Sequence, residues 1–97
     1  MDYERESLID CSHDRTQMLD QLTIELAVRE GMKLGDESRR VMQIAAEDMR
    51  RNVSDMDYDD MEFMQFLTEE ALTFLNDKHN DVYTFYIEDA TLWREEV

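Results

Sequence analysis

The chain has no proline and only two glycines, Gly31 and Gly35, in 97 residues. A sheet-rich fold of this length needs more turn residues than that, whereas long helices do not, so the expected fold class is all-α. Cys11 is the only cysteine. It excludes an intramolecular disulfide and suits a reducing, cytoplasmic compartment. The start, Met-Asp-Tyr-Glu-Arg-Glu, lacks a basic n-region and an apolar h-region, so no signal peptide is expected. Apolar runs are only a few residues long, which excludes a membrane span. Cations are scarce: ten Lys and Arg stand against 25 Asp and Glu, for a net charge of -15. Such a chain is repelled by nucleic acid and by anionic membranes, which leaves basic proteins as partners. No glycine-rich phosphate loop or Ser, His and Asp arrangement is present. A chain this short has little core to frame a cleft, so no catalysis and no cofactor are expected.

What is there is helical periodicity. Hydrophobic residues make up 42% of the chain and cluster at helical spacing, which favours one folded domain over residues 1–97. A short helix is expected over 2–11. The second, over about 14–34, opens on a loose capping box at Asp14 and Gln17. Met18, Leu19, Leu22 and Leu26 form one stripe on it, and Ile24, Val28 and Met32 a second, which suits a central position or a homodimer contact. Leu34-Gly35 reads as its end, with Gly35 free to turn left-handed. The next helix, about 37–53, carries Val41, Ile44, Ala45, Asp48 and Met49 at helical spacing. The helix of about 57–76 has the cleanest seam: Met61, Met64, Leu67, Ala71, Leu72 and Leu75. Residues 82–87, Val-Tyr-Thr-Phe-Tyr-Ile, have high β-propensity. A lone strand has no partner, and Tyr83, Tyr86, Ile87, Ala90 and Trp93 also follow helical spacing, so a final helix over about 81–95 is expected. The sum is a bundle of about four helices built on the 14–34 and 57–76 seams.

Charge is concentrated late. Residues 1–51 net -4, whereas residues 52–97 net -11 with only Lys78 and Arg94 as bases. The densest part is Asp55–Glu62, where five of eight residues are carboxylates. Asp-x-Asp-x-Asp has a superficial likeness to a calcium loop. However, Asp60 stands sixth where the turn needs glycine, and Phe66 twelfth where a bidentate glutamate belongs. Cys11-Ser-His13 offers two zinc ligands where a closed site wants four. No metal is therefore expected. A solvated helix start explains two or three of these acids through the helix dipole, but not five. Solubility asks for a net charge of roughly 2–8 on a small domain, well short of this one. The expected partner-binding residues are Asp55, Asp57, Asp59, Asp60, Glu62, Glu69, Glu70, Glu88 and Asp89, with Tyr58, Met61 and Met56 as apolar contacts.

Asp20-Gln-Leu-Thr-Ile-Glu-Leu26 and the acidic, Trp-bearing C-terminal stretch loosely resemble the DNA-mimicking anti-restriction protein of T7-like phages, over well under a third of the chain. The resemblance implies occlusion of a DNA-binding groove in a host defence enzyme, and it assigns no residue roles. Read with the charge, it suggests a non-catalytic inhibitor of a basic, nucleic-acid-binding protein. The alternative is an immunity protein, antitoxin or adaptor that relies on its Met and aromatic surface.

Overall fold

The computed structural model describes residues 5–11, 16–53 and 55–97. Their order is β1 (Arg5–Asp10), α1 (Thr16–Arg29), α2 (Asp36–Arg50), α3 (Tyr58–Lys78), β2 (Tyr83–Glu88) and β3 (Thr91–Glu96). The class is α+β, which corrects the expectation of an all-α bundle. Both ends of the described chain are strands where helices were expected, at 2–11 and at 81–95. The strand at 82–87 does not lack a partner. It pairs with the next six-residue strand, which in turn pairs with the first, in the antiparallel order β1-β3-β2.

The register explains why period two wins at this end of the chain. Phe85 lies opposite Arg94, and Ile87 opposite Leu92. Phe85 and Leu92 are buried. The other face carries Tyr86 opposite Trp93, with Ser7 of β1 beyond it. There the Arg5 guanidinium lies 3.8 Å from the Trp93 ring centroid, and Trp93 Nε1 donates to the Glu88 carbonyl at 3.1 Å. The register shifts between Ser7 and Ile9, a bulge near the middle of β1.

The helices end where the backbone can turn left-handed. Gly31 takes φ 121°, Met32 N–H donates to the Ala27 carbonyl at 2.9 Å, and Gly31 N–H to Val28 at 3.0 Å. This is a Schellman closure. It stops α1 at Arg29, short of the expected end near residue 34. Gly35 is extended (φ -78°, ψ 179°) and opens α2 instead. The end of α2 repeats the closure with Asn52 at φ 55°: Val53 N–H reaches Asp48 at 3.0 Å, and Asn52 N–H reaches Met49 at 3.1 Å. The proposed Asp14–Gln17 box lies outside the described residues and side chains.

Two contacts at one sequence offset show that α1 and α3 run parallel: the Asp20 carboxyl meets the Thr68 hydroxyl, and Glu30 meets Lys78 and His79. The second contact is a clamp. His79 Nε2 lies 2.7 Å from Glu30 Oε1, and Lys78 Nζ lies 3.5 Å from the same oxygen. The His79 hydrogen bond, aided by the charges of His79 and Lys78, holds the Glu30 carboxyl below its usual range against the opposing effect of burial. The core runs along this pair, with Leu19, Ile24 and Ala27 from α1 and Met64, Leu67, Ala71 and Leu75 from α3. Val41 and Ala45 of α2 close one side, and Phe85 and Leu92 the other. Among the described elements, α2 touches only α1 and α3, so it lies away from the sheet.

Asn76, near the end of α3, ties that helix to the sheet. Its amide donates to the Phe85 carbonyl at 3.0 Å and accepts from Phe85 N–H at 2.7 Å. One side chain thus satisfies both backbone groups that Phe85 presents at the outer edge of β2.

Candidate protein-binding face

The α3 seam fixes which residues point outward. With Met64, Leu67, Thr68, Ala71 and Leu75 buried, helical spacing leaves Asp59, Glu62, Phe66, Glu69, Glu70, Thr73 and Asp77 exposed on the opposite face. From Asp59 to Asp77 the stripe runs about 27 Å at the ~1.5 Å rise of a helix. Neither Lys nor Arg occurs between Arg51 and Lys78. Asp57 extends the stripe as the residue preceding α3, and it makes no side-chain capping bond.

The structure divides the expected site residues. Asp55 pairs with Arg51 at 3.2 Å, and Asp60 is largely covered and pairs with Arg40 at 3.0 Å. Glu88 pairs with Arg5 at 3.0 Å. Arg40 also holds Glu37, and Arg39 holds Asp36 at 2.7 Å, so the cations of α2 are largely engaged by nearby acids. Asp57, Asp59, Glu62, Glu69, Glu70 and Asp89 form no ion pair among the described residues. Asp89 lies at the β2–β3 turn, and no hydrogen bond or ion pair among the described residues joins it to α3. The site therefore contracts to one helical face, with the hairpin acids apart from it.

The apolar part shifts as well. Met56 is buried, and Met61 is half-buried against the core, so neither is a free contact. Tyr58 stays 70% exposed. Phe66, which was not among the expected contacts, is 55% exposed and sits in the middle of the acidic stripe. A signal for it existed in the sequence. Phe66 falls out of phase with the 64, 67, 71, 75 seam and in phase with Glu62, Glu69 and Glu70.

Beside Phe66 lies a cavity of about 370 Å³, between α3 and the connection that leads into α2. Met32, Leu34, Phe66 and Phe74 give it apolar walls, with Glu70 and Lys33 at its rim. Among the described residues, no group of three or more His, Cys, Asp or Glu is placed to hold a metal ion, and no helix is long and apolar enough to cross a membrane. Cys11 is buried next to β1, and His13 lies outside the described residues. In comparisons with known proteins, no family model, no curated protein and no solved structure matches the chain.

Proposed function

We propose that this protein is a non-catalytic inhibitor or modulator that occupies a basic, nucleic-acid-binding surface of another protein, presenting the outer face of α3 in place of a phosphate backbone. The observation that carries this reading is the unneutralised row Asp57, Asp59, Glu62, Glu69, Glu70 and Asp77. Within the row, Asp59 and Glu62 are three positions apart and stand ~5–6 Å from one another, and Glu69 and Asp77 continue the same face at steps of about two turns. The row carries one charge per about 5 Å of helix axis, against one per about 3.4 Å along a single strand of B-DNA, so a groove lined with Lys and Arg meets an array that approaches the density of one strand. The like-charge pair Asp59 and Glu62 costs a few tenths of a kcal/mol. Folding alone gives no reason to keep them. Exposed Tyr58 and Phe66 favour an apolar component beside the charge, as the adaptor reading asks.

The test is capture of the partner from the native host, then competition with duplex DNA. DNA should displace the protein, and affinity should fall steeply with salt, because exposed charges are screened within about 10 Å at 0.1 M. Replacing Asp57, Asp59, Glu62, Glu69 and Glu70 by their amides should abolish binding. A complex that is indifferent both to salt and to these replacements would refute the charge-based reading.

A further inference from the structure

We infer that the cavity beside α3 receives the apolar side chains of a basic amphipathic helix, which is the element by which the partner engages this face. The inference rests on the proposed acidic-face function for the sign of the partner's charge, and on the cavity for everything else.

Three observations carry it. Met32, Leu34, Phe66 and Phe74 line one cavity, Phe66 more than half exposed and the other three partly so, which makes a continuous accessible apolar surface with a polar rim. Phe66 and Phe74 are eight residues apart on α3, about 12 Å along its axis. That length accommodates two side chains spaced one or two turns apart on a helix lying alongside, the pattern of helix-in-groove recognition. Finally, the α3 side of the groove is acidic: Glu70 lines it, and Glu69 and Glu62 follow on the same helix face. The charge decides among occupants. A second copy would lay one acidic α3 against another, under a net charge of -15 on each chain. A helix with Lys or Arg flanking an apolar stripe satisfies both the groove and its rim. Lys33, on the opposite rim, forms no ion pair among the described residues and is free to meet an acid of that helix.

The test titrates the full chain with two labelled peptides, read by fluorescence anisotropy: an amphipathic Leu/Lys helical peptide and an oligolysine of equal charge. The Leu/Lys peptide should bind at least tenfold tighter. Phe66→Ala should erase that difference while leaving oligolysine binding unchanged, and Glu69→Gln with Glu70→Gln should weaken both peptides. Phe66 is outside the buried core, so its truncation leaves the fold in place, which a thermal melt checks. Equal affinity of the two peptides, or Leu/Lys binding untouched by Phe66→Ala, would overturn the groove inference while leaving the acidic face standing. Peptide binding untouched by the two Glu→Gln changes would overturn the acidic face and the basic character assigned to the occupant. A Phe66-dependent dimer in sedimentation would overturn it in favour of a second copy.

Discussion

Ala90 holds φ 56° directly after Asp89 at φ 53°, so the two-residue β2–β3 turn is of type I′. Asp-Gly is a favoured pair for this turn. An alanine in the left-handed region costs about 1–2 kcal/mol. Ala90→Gly should therefore stabilise the protein by about 1 kcal/mol, read as a rise of about 4–8 °C in melting temperature. Gly31→Ala should do the reverse, by more than ~1 kcal/mol. The cause there is backbone strain at φ 121°, since an added Cβ meets only Phe74 Cζ at an ordinary 3.6 Å. Asp20 is a different kind of residue-scale liability. Burial raises its carboxyl above the usual range, against the opposing effect of Thr68. An acid raised in the folded state contributes stability that is complete below its unfolded-state pKa and is lost as pH rises through the folded-state value. Asp20→Asn should thus gain melting temperature over the parent at pH 7, and that gain should shrink as pH falls below the Asp20 pKa. A gain that is flat with pH would show that ionisation is not the cause.

At the scale of elements, Asn76 is the joint on which the sheet depends. Asn76→Leu removes two hydrogen bonds and bares the Phe85 edge, and it should cost about 2 kcal/mol in chemical denaturation. Light scattering should rise at the same time, because an uncovered strand edge recruits other strands. Neither the hydrogen bonds nor the edge was legible in the sequence, since nothing local ties residue 76 to residue 85. The helices were legible: the 61–75 seam and the 41–49 spacing both mark real helices, because their apolar period is set by the core they bury. The sheet was not. The turn Asp89-Ala90 carries no glycine, and β3 reads Thr-Leu-Trp-Arg-Glu-Glu, with its stacking partner Arg5 and its second pairing strand, β1, far away in sequence. Tyr83, Tyr86, Ile87 and Trp93 satisfy both periods, so the decision fell to a strand near residue 5 that resembles nothing in particular. The candidate face was legible in its charge but not in its selection. Asp55, Asp60 and Glu88 look the same in sequence as Asp59 and Glu62, and only the folded positions of Arg51, Arg40 and Arg5 separate them.

At the scale of the whole molecule, charge works against folding. With a net charge of -15 and an unneutralised α3 face, the folded state repels itself. Melting temperature should rise as sodium chloride is raised from low levels toward ~0.5 M, where exposed charges are strongly screened. The five-residue amide replacement on α3 should be more stable than the parent at low salt and should gain less from added salt. Such a variant, better folded yet unable to bind, would separate the purpose of the charge from the needs of the fold.

The pairing of Arg5 with Glu95 sets the order of events in biogenesis. During synthesis the three helices are complete well before residues 91–96 exist, and β1 and β2 both need that strand as their neighbour. The nascent chain therefore carries a helical layer with its Phe85 and Leu92 side unfinished, and closure must span nearly the whole length of the described chain. Closure of that kind is slow compared with helix packing. It also places residues 5 and 95 side by side, so a short linker between them, with new termini opened at the α1–α2 connection, would yield a permuted protein whose sheet forms from neighbouring segments.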